Sequence, residues 1–144
     1  MAIIALSNAT TKVFESKSDP DKGKEGATRF HIGAVSARLI GHFRDKSIRY
    51  ISDDSGNEVS TEFETNRFNA EIVRIGLQSI ENFKDVAGNE IELKRVKRNI
   101  LGKSYDVLSD EIIDMLSLEL VTEIANEIVN INVVKEDKKK KSGK

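Results

Sequence analysis

A run of apolar residues at helical spacing, Phe68, Ile72, Val73, Gly76, Leu77 and Ile80, is the strongest folding constraint in this chain. On a helix these side chains share one stripe, while Asn69, Glu71, Arg74, Gln78 and Glu81 face away. That is the pattern of a helix packed on a core by one side. Gly76 lies within the stripe at a cost of about 1 kcal/mol relative to Ala, which implies that another backbone approaches the helix there. Upstream, Thr61 and Glu64 have the spacing of a capping box and start the helix near Glu62. Downstream the helix exits into a tight turn at Ala87-Gly88-Asn89.

Around this helix the remaining segments are shorter. Ala2–Leu6 and Thr11–Phe14 read as short strands or one interrupted strand, and Thr28–Ile32 alternates polar and apolar residues as a half-buried strand does. Between them Ser16–Gly26 holds the only Pro, two Gly and alternating charges, so Val13–Phe30 reads as a hairpin with a long charged tip. Ser36 offers an N-cap oxygen for a helix carrying Leu39, Ile40 and Phe43, with Ile48 extending the same side. Asp53–Asn57 is a loop. Glu90–Val107 is extended and basic, with a turn at Leu101-Gly102-Lys103. Ser109 caps a further helix, with Asp110 and Glu111 favourable at its positive end. Ser117 either caps a second one or lies within a continuous run. No internal repeat stands out. The expected fold class is α+β: a short N-terminal hairpin of antiparallel strands packed with three to four helices.

Composition bounds what such a domain can be. The chain has 144 residues, enough for one domain with a real core. It has no Cys, which excludes disulfides and thiolate metal sites. No apolar run approaches the ~20 residues of a membrane helix, and Met1–Leu6 is too short and lacks the basic start of a signal peptide. Of 23 basic and 24 acidic residues, six Lys and two acids lie in Lys135–Lys144, which leaves 17 basic and 22 acidic residues in the body. We therefore expect a single domain over residues 1–134 and a disordered Lys-rich tail over 135–144. A mildly acidic body argues against nucleic-acid binding, which ordinarily uses a basic face.

No residue pattern carries chemistry. Ser18–Glu25 has the look of a calcium loop, but counting from Asp19 the fifth position is Gly23 and the sixth Lys24, which breaks the ligand pattern. Gly102-Lys103-Ser104 ends like a phosphate loop but has Lys97 where that motif needs Gly. His31 and His42 have no neighbouring nucleophile or carboxylate in sequence and read as structural. Asp53-Asp54 shapes a turn. Lys94-Arg95-Val96-Lys97-Arg98 could bind phosphate, yet lacks the aromatics that stack bases. A charged, solvated strand edge is the better reading. No catalytic residue, cofactor or metal site is expected.

Three blocks together resemble a family of small tailed-bacteriophage proteins grouped with the tail assembly chaperones. They are Thr28–Arg38, Phe68–Ile91 with its ending Asn82-Phe83-Lys84-Asp85-Val86-Ala87-Gly88-Asn89-Glu90-Ile91, and Leu108–Leu116 followed by Leu120–Ile128. Similar sequences often have Trp where this chain has Ile80, and Pro where it has Ser117. The resemblance implies a non-enzymatic protein of the host cytoplasm that binds the phage tape-measure protein before the tail tube polymerises around it. Expected partners are the tape-measure and tail-tube proteins, with self-association as a further option, and no membrane. A structural head or tail protein of the virion is the first alternative, and a nucleic-acid-binding regulator using Lys94, Arg95, Lys97, Arg98 and the Lys tail the second. Shielding another chain's helices needs apolar surface. Ile112, Leu116, Leu120, Val121, Ile124 and Ile128 of the closing helices are the candidate partner-binding residues, and the competing reading is that they fill this chain's own core. Genes of this kind often frameshift near their end, and Lys138–Lys141 can be encoded by a run of adenines.

Overall fold

Phe30 and Ile32 are two residues apart on one strand and both fully buried, and the main sheet is built around them. The computed structural model describes residues 10–142, with side chains described for residues 10–57 and 60–131. The strand expected at Ala2–Leu6 lies outside the described residues. Strands β1 (Thr11–Glu15), β2 (Arg29–Gly33) and β5 (Leu77–Glu81) form an antiparallel sheet in the order β1-β2-β5. The hairpin with the long charged tip is thus present, with Phe14 opposite Phe30 and the two rings 5.3 Å apart. Among the described residues two further antiparallel ribbons form, β3 (Ile48–Ser52) with β4 (Glu58–Phe63), and β6 (Arg95–Ile100) with β7 (Lys103–Leu108).

Four helices join them: α1 (Ala37–Lys46), α2 (Thr65–Gly76), α3 (Asp110–Met115) and α4 (Leu118–Ser142). The architecture is the expected α+β. Helix α2 is the hub, packed along α4 and touching α1, β5 and β7. Its buried residues Phe68, Ile72 and Val73 face Ile124, Ala125 and Ile128 in one continuous core with Phe43 of α1 and Leu108 of β7. Helix α4 also lies on the N-terminal sheet. Lys12 of β1 forms an ion pair with Glu127 at 2.6 Å. One turn earlier on α4, Glu123 accepts hydrogen bonds from Ser16 Oγ at 2.6 Å and Lys17 N at 3.0 Å.

The local signals at α1 hold. The Ser36 side chain accepts from Leu39 N, and Leu39, Ile40 and Phe43 are buried. Ile48 does not extend that helix; it begins β3 after Ser47 turns the chain, its hydroxyl donating to Phe43 O at 2.7 Å. The capping box at Thr61 and Glu64 is not used. Thr61 and Glu62 belong to β4, and α2 begins only at Thr65, with Glu64 at the cap position making no side-chain cap bond. A two-residue coincidence of this kind is cheap in sequence, whereas five cross-strand pairs to β3 fix Glu58–Phe63 as a strand.

The far end of α2 differs as well. The helix stops at Gly76, and Leu77 and Ile80 continue as β5, opposite Ile32 and Phe30 of β2. Asn69, expected to face solvent, is buried. Ser109 stands at the cap of α3, but only its carbonyl serves, accepting from Ile112 and Ile113 N; its Oγ is buried and unpartnered among the described atoms. Ser117 Oγ accepts from Leu120 N at 3.2 Å, so two separate closing helices form. The α4 backbone continues through most of the expected Lys tail, whose side chains lie outside those described.

Candidate protein-binding surface

The signature block from Phe68 to Ile91 proves to be framework, each distinctive residue fixing a local geometry. At Gly76 the space a side chain would need is taken by the Ile128 side chain, so the close approach is real but comes from a side chain rather than a backbone. Asn82 sits at φ 58°, a left-handed conformation Asn tolerates better than most residues. Its Nδ2 donates to Ala27 O at 2.9 Å, and its own carbonyl accepts from Thr28 Oγ1 at 2.9 Å. One residue thereby joins the end of β5 to the start of β2.

The turn after it occurs twice. Asp85-Val86-Ala87-Gly88-Asn89-Glu90 and Asp53-Asp54-Ser55-Gly56-Asn57-Glu58 share the spacing Asp-x-x-Gly-Asn-Glu. In both, the Asp Oδ1 accepts from the backbone N of the residues two and four positions on. In both, the Gly N donates to the Asp carbonyl at 3.0 Å, and the Asp N donates to the Asn carbonyl. Gly56 and Gly88 have φ of 83° and 86°. The repeat is only six residues long with two free positions, too short to stand out by length, and its shared Asp, Gly and Asn are the signal that marks it. It explains Asp85–Glu90 by turn chemistry alone.

The basic strand is largely neutralised. Lys97 pairs with Asp106 across the ribbon at 2.9 Å, Lys94 with Glu111 at 3.4 Å, and Arg98 forks onto Glu71. Arg95 spans to the adjacent sheet, donating to the carbonyls of Leu77 and Gln78 at 2.8 and 2.7 Å. The guanidinium pKa values move in opposite directions. Burial lowers that of Arg95, with Asp106 opposing, whereas the hydrogen bond to Glu71 raises that of Arg98. Arg74 completes the cluster, reaching Asp110 at 2.6 Å and Leu108 O at 3.1 Å. These groups fasten α2 and α3 to the β6–β7 ribbon.

The other singled-out residues are structural too. In the Ser18–Glu25 loop, Asp19 accepts from Asp21 N at 2.9 Å and Thr28 N at 2.8 Å, closing the hairpin tip. These bonds lower its pKa. Gly102 is the second residue of the two-residue turn between β6 and β7. His31 pairs with Glu81 across strands, a carboxylate 50 positions away that no local search could find. His42 leans on the Phe43 ring at 5.4 Å. Among the described residues no group of three or more His, Asp or Glu is placed to hold a metal ion, and no helix is long and apolar enough to cross a membrane.

The six partner-binding candidates fall on one side of the closing helices and point inward. Ile112, Leu116, Val121, Ile124 and Ile128 are buried, and Leu120 is half-buried against the same core. The physical reason is the shape of the fold: α4 packs on both α2 and the main sheet, so one helix uses two apolar faces internally. Exposed large apolar side chains occur at several places, Met115 and Leu118 at the junction of the closing helices among them, and three lie together on the β3–β4 ribbon, whose strands pair only with each other among the described residues. Tyr50 is 63% exposed and Phe63 43% exposed. Both lie on the ribbon face that carries Ile48, because Ile48 is opposite Phe63 and Tyr50 is two residues further on. The face runs on to Phe68, whose ring lies 5.6 Å from that of Phe63 with the Arg44 guanidinium above it. Ile51, 39% exposed, faces the other way. No sequence signal marks this surface, since Phe63 falls within the helix expected to start near Glu62 and Tyr50 lies in no expected element.

No family model, no curated protein and no solved structure matches the chain.

Proposed function

We propose that this chain is a phage tail assembly chaperone that binds the tape-measure protein through its β3–β4 ribbon. The observation that carries the reading is the exposed apolar face of Tyr50 and Phe63 on a ribbon held apart from the main sheet. An apolar strand face with free hydrogen-bonding edges can cover an extended or helical segment of another chain. The resemblance of Thr28–Arg38, Phe68–Ile91 and Leu108–Ile128 to that family supports the reading from a second side. Since those blocks serve the framework here, they speak for shared architecture, and the binding role rests on the ribbon. The closing-helix residues contribute by holding α4 in place.

The proposal separates an assembly factor, which leaves, from a structural protein, which stays. Capture of the tagged chain from infected cells should recover the tape-measure protein. Stoichiometric retention in purified virions would overturn it in favour of a structural head or tail component.

A further inference from the structure

We infer that the cleft between α1, the end of α2 and β7 is a docking site for an acidic peptide segment that pairs a carboxylate with an apolar side chain. The cleft measures about 460 Å³, within the size range of real ligand sites. The lining is mixed and more polar than apolar: Leu39, Ile75 and the Tyr105 ring form an apolar wall, and Ser36 and the Gln78 amide are polar groups beside it. Two cations complete it, Arg38 and Lys103, both exposed.

The charge pattern selects the ligand. Among the described residues no Asp or Glu lines this cleft, although the body of the chain is acidic. Neither cation has a carboxylate partner among the described residues, whereas all four basic residues of Lys94–Arg98 are engaged. Lys103 instead lies 5.7 Å from the centre of the Tyr105 ring, which holds its charge at the apolar wall. Arg38 offers a planar fork suited to a carboxylate. A free small carboxylate would stay largely wet beside two exposed cations. A peptide covers the opening with its flanking residues, so the commitment is to a peptide. This site lies apart from the β3–β4 ribbon and does not depend on the chaperone reading.

The test uses the full chain and a fluorescein-labelled peptide carrying Leu between two Glu in a Gly-Ser background. Its control replaces both Glu with Gln. Saturable anisotropy at low salt is expected with the acidic peptide alone. The double variant Arg38→Ala, Lys103→Ala should weaken it by about tenfold or more, as lost charge-assisted bonds do. Both residues are exposed, so the variant should melt as the parent does. Equal binding of the two peptides, no saturable binding, or undiminished binding by the double variant would each overturn the inference.

Discussion

The Cβ that any other residue would place on Gly76 falls 2.6 Å from Ile128 Cδ1 and 2.9 Å from its Cγ2. Both positions are buried, and Ile128 is β-branched and cannot swing aside. This contact sets the distance between α2 and α4.

Gly76→Ala therefore pits two effects against each other. Helix propensity favours Ala by about 1 kcal/mol, while forcing a methyl into a packed core costs about 1–3 kcal/mol. The position is also the last residue of the helix, where the propensity gain is smallest. Net destabilisation is expected in urea melts. Adding Ile128→Val, which removes the Cδ1 methyl, should recover part of the loss, so the cycle is non-additive. Additive effects would mean the contact does not set the spacing.

Leu101 offers the opposite case, a residue that can be improved. It occupies φ 52° beside Gly102 at φ 79°, the two central residues of the β6–β7 turn. Such two-residue turns favour Asn-Gly. Leu101 is 45% exposed, so replacing it sacrifices little packing. Leu101→Asn should stabilise the protein by about 1 kcal/mol, read as a higher denaturation midpoint with an unchanged slope.

These two positions show what local sequence can and cannot tell. The β1–β2 hairpin, the Ser36 cap and the turn at Leu101-Gly102 were legible because each depends on neighbours in the chain. The end of α2 was not. Leu77 and Ile80 suit both a helical stripe and a sheet, and only pairing with Ile32 and Phe30 decides. Thr61 and Glu64 mimic a cap because that pattern is only two residues long. Whether Ile124 faces a partner or a core depends on how much apolar surface α2 and the sheet present to α4, which is a property of the whole fold. The same limit hid the Tyr50–Phe63 face.

Ile124→Ala tests that placement directly. Ile124 is fully buried, and truncations of this kind cost about 2–5 kcal/mol. Thermal unfolding should shift down strongly. A folded, equally stable variant with lost partner binding would return α4 to the role of a docking surface.

Asp19 should make stability pH-dependent. Backbone hydrogen bonds from Asp21 and Thr28 hold its pKa below the ordinary 3.8, with burial opposing weakly. A carboxyl lowered in the folded state binds its proton more readily when unfolded. Its contribution is thus fully present above 3.8 and lost as pH falls through the lower folded value. Asp19→Asn should be less stable than the parent at neutral pH, and the difference should shrink as acid is added. A constant difference across that range would show that charge is not the cause.

The central claim is that the β3–β4 ribbon holds the tape-measure protein during assembly. Its most direct measurement is quantitative mass spectrometry of what the tagged chain captures from infected cells before lysis. The wild-type chain is predicted to enrich the tape-measure protein, and the variant Tyr50→Ser, Phe63→Ser to lose it while staying folded, with a melting point lowered only by the lost Phe63–Phe68 ring contact. Capture without the tape-measure protein, or equal capture by a folded double variant, would contradict the account.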